Sequence, residues 1–156
     1  MTAKKLGLDY HGVIDTYTEI FKRMAKAWVD RGREVHLITG TSLTREKLAE
    51  IRAFGVLFTH QFSIVDYHTE IGTNIRYDQN GRPWIDDDLW DMSKAQYCKA
   101  NRIYMHFDDS PIYGQHFELG LHGTTYIQVT DDLMRVITSR LRQHDEMEAL
   151  GLNVPF

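Results

Sequence analysis

The sequence predicts an α/β protein, a three-layer Rossmann-like parallel sheet with helices on both faces. Two observations predict the class. Short apolar runs that stop at glycine or aspartate alternate with stretches whose apolar residues recur at helical spacing. That alternation is the mark of strand–helix–strand units, which build parallel sheets covered on both sides. A third observation directs the search for function. Several of the strands run into polar residues, and ligands of open parallel sheets bind beyond the carboxyl ends of the strands.

Taken in order, "KKLGLD" is a short first strand that delivers Asp9 to a turn broken by Gly12. From Thr16 to Arg31, Ile20, Phe21, Met24 and Trp28 form one apolar stripe, and Gly32 stops the helix. "EVHLIT" is the second strand, cut at Gly40. Ser42 or Thr44 caps a helix that runs through Ala53, with Leu48 and Ile51 inward and Gly55 as its end. "VLFTHQF" is the third strand. The rhythm then lapses. "TEIGTNIRYDQNGRPWID" reads as a β-hairpin inserted at about 70–86, with Asn80–Gly81 as a tight turn and Pro83 on an exposed edge. A helix from about Asp87 to Ala100 restores the alternation, and "RIYMHF" is a strand running straight into Asp108 and Asp109. A short helix follows Pro111, then comes the strand "TTYIQV". The last helix starts near Asp131 with Leu133, Ile137 and Leu141 on one face. Asp131 and Asp132 at its start and Arg140 and Arg142 later complement the helix dipole.

No repeat, low-complexity tract or linker divides the 156 residues, so a single domain over 1–156 is expected. A net charge of −4 without a long Lys or Arg run gives no bulk footprint for duplex nucleic acid or an anionic membrane. "MTAKKLGLDY" is too polar for a signal peptide, and no apolar run approaches the ~18 residues of a membrane span, so a cytoplasmic protein is expected. The single cysteine, Cys98, excludes an internal disulfide and reads as a small buried hydrophobe.

The strand ends gather chemistry. They are Asp9, then Thr39–Gly40, then Asp108–Asp109. If these strands are neighbours, with that of Asp9 in the middle, three carboxylates meet in one small volume. Like charges that close are costly unless one takes a proton or a cation sits between them. A carboxylate-rich, all-oxygen site suits Mg²⁺.

These segments resemble the haloacid dehalogenase (HAD) superfamily. "LGLDYHGVID" is similar to its first motif, an apolar strand followed by D-x-D-G-[VT]. "VHLITG" is similar to the second, Lys94 in "DMSKAQYCKANRIYMHFDD" to the third, and "YMHFDD" to the fourth. The order agrees over about Leu6 to Ser110, and the closeness of the first two motifs resembles small-cap, nucleotidase-like members.

The resemblance implies a Mg²⁺-dependent phosphohydrolase acting on a phosphate monoester, a nucleotide among the candidates. Asp9 would be the nucleophile, and Asp9, the His11 backbone carbonyl, Asp108 and Asp109 the metal site. Thr39, the Gly40 N–H at a helix start, and Lys94 would hold phosphoryl oxygens. Lys99 and Arg102 are rivals to Lys94. A cap this small implies either an open site for a large phosphorylated molecule or a neighbouring subunit of a homo-oligomer that closes it.

One residue departs from the pattern. Phosphatases of the superfamily carry a second Asp where this chain has His11. Three readings stay open. His11 takes over the acid–base work; or the site binds metal and phosphate without effective turnover, as a regulatory module; or it runs related chemistry that needs no such Asp. The Asp108–Asp109 pair, built for a metal, argues against dehalogenation. His36 and His106 read as core or sheet-face residues, and His60, His68, His116, His122 and His144 show no metal-ligand spacing; His106 stands out among them because it lies two residues before Asp108. Phe62, Tyr67, Tyr77, Trp84 and Trp90 either stack on a nucleobase or pack the hairpin onto the domain.

Overall fold

The apolar runs form the elements that the periodicity predicts, with one short helix, Ile64–Glu70, besides. Along the chain lie β1 (Leu6–Leu8), α1 (Thr18–Val29), β2 (Val35–Thr39), α2 (Arg45–Arg52), β3 (His60–Ser63), α3 (Ile64–Glu70), β4 (Arg76–Tyr77), β5 (Pro83–Trp84), α4 (Asp87–Asn101), β6 (Met105–Asp108), a 3₁₀ turn (Tyr113–His116), β7 (Thr125–Gln128) and α5 (Asp131–Ala149). The structure is a computed structural model that describes residues 3–118 and 123–152, so His122 lies outside the described residues.

Five strands form one parallel sheet in the order β3-β2-β1-β6-β7, and β4 pairs with β5 in a separate antiparallel hairpin. β1 is central, flanked by β2 and β6 as expected. The chain winds outward from β1 through β2 to β3, then crosses to β6 and β7. The switch point therefore falls between β1 and β6, where such sheets hold their ligands.

Successive strand residues face opposite sides, and the core divides accordingly. Leu6, Leu8, Val35, Leu37 and Phe107 pack with Phe21 and Ala25 of α1, Ile51 of α2 and Met134 of α5. On the other face Ile38 packs with Cys98 of α4 and Ile103, so Cys98 is the buried hydrophobe expected of it. Gly7 and His106 belong to this second face. A Cβ on Gly7 would lie 2.8 Å from both His106 Nδ1 and Ile38 Cδ1. Glycine in mid-strand usually weakens a strand, but here it leaves room for an imidazole.

Local differences from the sequence reading have physical causes. The third strand begins at His60 rather than Val56; Val56 is buried in the core from a loop. The lapse in rhythm after it conceals α3. Ser63 caps that helix by accepting the Asp66 N–H, and Ile64, Val65 and His68 are its buried residues. Seven residues with so short a stripe carry almost no helical period. The hairpin turn is wider than an Asn80–Gly81 turn. Tyr77 pairs with Pro83, and the Asp78 side chain accepts the N–H groups of Asn80 and Arg82. An aspartate bonding its own following backbone competes with the two-residue turn. Among the described residues, no helix is long and apolar enough to cross a membrane.

Candidate functional site

Asp9 follows β1 directly, with its N–H donating to the Phe107 carbonyl of β6 at 3.0 Å. The chain then turns sharply. His11 (φ −69°, ψ 131°) and Gly12 (φ 74°, ψ 0°) have the dihedrals of a type II turn, whose third position needs the left-handed region that glycine occupies without strain. A side chain on Gly12 would also overlap the Asp109 carboxylate. Asp15 closes this loop. Its carboxylate accepts the Gly12 N–H at 2.8 Å and lies 3.3 Å from His11 Nδ1.

Strand alternation sends Asp9 and Asp108 to the face covered by α4, the helix that carries Lys94. Lys94 Nζ donates to Asp108 Oδ2 at 2.6 Å and sits 3.1 Å from Asp9 Oδ1, with all three side chains buried. Asp108 has further support. His106 Nε2 lies 3.1 Å from Oδ2, and the Ser110 N–H donates to Oδ1 at 3.0 Å. The His106 imidazole, seated in the space over Gly7, thus holds Asp108 from below.

The charges do not balance. Burial favours a neutral Asp108, but the His106 hydrogen bond and Lys94 together outweigh it and hold its pKa down at about 2. Asp9 fares otherwise. Burial lifts its pKa to about 6, against the pull of Lys94 and with the help of Asp108. Burial works against the Lys94 ammonium, yet Asp9 and Asp108 outweigh it and raise its pKa. One buried ammonium serves two buried carboxylates, and Asp9 is the one left over. Asp109, beside them, is also raised by burial and by Asp108.

A cleft of about 880 Å³ opens over these groups, and His11, Thr39, Gly40, Lys94 and Asp109 line it with Asp9. Its size is that of an ordinary small-ligand pocket. Asp9, Asp108 and Asp109 each offer a carboxylate oxygen, all within 4.8 Å of one another.

No family model, curated protein or solved structure matches this chain. The residues alone must therefore carry the functional reading.

Asp9, His11, Thr39, Gly40, Lys94, Asp108 and Asp109 come to this one place, with one change of detail and two rivals set apart. Gly40 does not begin a helix, because α2 starts only at Arg45 with Thr44 as its cap; Thr44 bonds the Lys47 N–H. Instead the Gly40 carbonyl accepts the Val65 N–H of α3. The rivals of Lys94 lie elsewhere. Lys99 pairs with Glu118 on the surface, and Lys99 and Arg102 line a separate basin with Lys4 and Lys5.

The aromatic residues divide. Phe62 stacks on Tyr97, and Tyr67 packs against Phe62. Trp90 lies under Gly40 and donates to the Tyr113 hydroxyl at 2.8 Å, and the Tyr113 ring faces Lys94 Nζ at 4.6 Å. The hairpin is not packed down by its own aromatics, since Tyr77 and Trp84 are 61% and 57% exposed. Tyr77 and Arg82 form part of the cleft rim.

Sequence reasoning missed Asp15 and Asp66; it singled out His106 for its place two residues before Asp108, without foreseeing the hydrogen bond between them. Asp15 stands four residues after His11, a spacing that was open to notice. Asp66 accepts the Ser42 hydroxyl and the Leu43 N–H, pinning the segment after Gly40, but it belongs to the unforeseen α3.

Proposed function

We propose that this chain is a Mg²⁺-dependent phosphohydrolase of the haloacid dehalogenase type, which cleaves a phosphate monoester through an aspartyl-phosphate on Asp9. The observation that carries the reading is the imbalance at the switch point. Asp9 and Asp108 meet there over a single ammonium, with Asp109 adjacent. This donor set is hard and all-oxygen, which fits Mg²⁺ and leaves positions for water and substrate phosphate. Asp9, Asp108, Asp109 and the His11 backbone carbonyl are the residues that would hold it. Bound there, Mg²⁺ would screen the phosphate dianion from the nucleophile and stabilise charge on the transferring group.

The chain's own groups divide the work. Lys94, Thr39 and the Gly40 N–H hold the phosphoryl oxygens. An Asp9 oxygen attacks phosphorus; a P–O bond forms to Asp9 as the ester P–O bond breaks, and the leaving oxygen takes a proton from His11. Water, giving its proton back to His11, then attacks phosphorus, releases phosphate and restores the Asp9 carboxylate. Asp15, 3.3 Å from His11 Nδ1, would orient the imidazole. The open cleft, rimmed by Arg82 and Tyr77, admits a phosphorylated small molecule of nucleotide size.

One observation favours a second reading, a metal- and phosphate-binding module without turnover. The His11 side chain is 61% exposed and engages Asp15, the arrangement of a solvated turn. A screen of phosphate monoesters with Mg²⁺, against EDTA controls, separates the two. Turnover that needs Mg²⁺ and is abolished in Asp9→Asn supports the enzyme. A protein that binds Mg²⁺ and phosphate yet turns over no ester supports the module. Turnover that survives Asp9→Asn rejects Asp9 as the nucleophile.

A further inference from the structure

Another cluster lies at the opposite end of the sheet from Asp9. Glu34 stands just before β2, and its carbonyl accepts the Leu6 N–H, so the ladder already includes it. Residues two apart on a strand share a face, which puts Glu34 beside His36. His60 opens β3 and is the register partner of His36, on the same face one strand spacing away. The three side chains meet. Glu34 Oε2 is 2.7 Å from His36 Nε2 and 3.9 Å from His60 Nδ1, and one donor atom from each residue lies within 4.8 Å of the others. The imidazole rings stack with centroids 4.4 Å apart.

The imidazoles are supported from behind. The Tyr97 hydroxyl of α4 is 2.8 Å from His36 Nδ1, and Thr59 Oγ1 is 2.8 Å from His60 Nδ1. A metal-bound imidazole needs such a partner on its other nitrogen, which fixes tautomer and ring orientation. With Nδ1 engaged, His36 is left Nε2 to ligate, and Nε2 already faces Glu34; the His60 nitrogen nearest Glu34 is Nδ1, so His60 would present Nε2 by turning its ring. His36 is buried and so presents a fixed donor, whereas His60 and Glu34 reach solvent and can adjust. The rings lie within 8° of parallel, so His60 and Glu34 would rotate to bring the donors to the ~3.4 Å spacing of ligands ~2.1 Å from one ion.

We propose that Glu34, His36 and His60 form a transition-metal site of the Zn²⁺ or Cu²⁺ class, separate from the carboxylate centre and independent of the phosphohydrolase reading. Two borderline imidazoles beside one carboxylate suit these ions better than Mg²⁺, which prefers an all-oxygen shell. Lys5 Nζ, 3.0 Å from Glu34 Oε2, is the cation that the metal replaces, and an ion pair so near the surface costs little to break. The bound ion would tie the edge strand β3 to β2 through side chains and keep a solvent-facing position for a further ligand.

The test uses the full chain with Mg²⁺ in excess, so that the carboxylate centre is occupied. Calorimetry should find one Zn²⁺ site of micromolar affinity or better. Glu34→Gln and His60→Ala, at solvent-accessible positions that spare the core, should each weaken it at least about tenfold, and Tyr97→Phe by about 10- to 100-fold. Asp9→Asn should leave it unchanged. With Cu²⁺, electron paramagnetic resonance should resolve coupling to two imidazole nitrogens, falling to one in His60→Ala. Zn²⁺ affinity unchanged in both Glu34→Gln and His60→Ala overturns the assignment, as does wild-type binding no tighter than ~1 mM. Binding lost in Asp9→Asn and kept in His60→Ala assigns the ion to the carboxylates instead, and equally overturns it.

Discussion

Replacing Asp9 with asparagine should make the metal-free protein more stable at neutral pH while abolishing turnover. Asp9 is only 6% exposed. Burial, opposed by Lys94 and assisted by Asp108, moves its pKa from the ordinary 3.8 to about 6. Each pKa unit is worth ~1.4 kcal/mol, so keeping this carboxylate ionised costs the folded state ~3 kcal/mol. The direction follows from linkage. A folded-state pKa above the unfolded one means that the native protein holds the proton more tightly. Stability from this group is then full below about pH 4 and is lost as the pH rises through about 6. Asparagine keeps the shape and discards the charge. A domain of this length shifts its melting temperature by ~2–4 °C per kcal/mol, so Asp9→Asn should melt ~6–12 °C higher in EDTA at neutral pH. The gap should close below about pH 4, where Asp9 of the wild type is itself neutral. Mg²⁺ should narrow it at neutral pH by stabilising the wild type more. Scanning calorimetry across this pH range, with and without Mg²⁺, measures each part. A variant that melts at or below the wild type at neutral pH would refute the claim that the ammonium shared with Asp108 leaves the Asp9 carboxylate undercompensated.

Lys94→Met strands two buried carboxylates and should cost ~3–5 kcal/mol in denaturant unfolding, with Mg²⁺ restoring part of the loss. His11→Ala should keep Mg²⁺ affinity, because the ligand expected there is a backbone carbonyl, yet lose ~10²- to 10⁴-fold in steady-state turnover. Undiminished turnover would make His11 a bystander. Gly12→Ala forces a side chain into the left-handed region and against the Asp109 carboxylate. It should cost ~1–2 kcal/mol of stability and weaken Mg²⁺ binding, measured by calorimetry.

What was legible in the sequence was local. β1, β2 and β6 could be read with their closing residues because an apolar run that stops at Asp9, Thr39 or Asp108 is a pattern of neighbours along the chain. The same holds for Lys94, one helix before β6. What escaped depends on contacts between distant segments. His36 and His60 come together only through the register of β2 with β3, which no spacing in the chain reports. His106 holds Asp108 because Gly7, 99 positions earlier, leaves it room. α3 escaped for the opposite reason, being too short for its periodicity to stand out from the loop around it.

Gly7 has a consequence for how this protein tolerates mutation. Core positions usually accept a swap of similar volume at the cost of stability alone. Position 7 cannot separate the two effects. Even a methyl group there would meet His106 Nδ1 and Ile38 Cδ1 at 2.8 Å. The displaced imidazole would carry the error to the Asp108 oxygen that it shares with Lys94. A library randomised at this residue would therefore lose thermal stability together with the divalent-ion affinity proposed for the Asp108 site. Compensating changes would arise at His106 and Ile38 rather than among the residues that face the cleft.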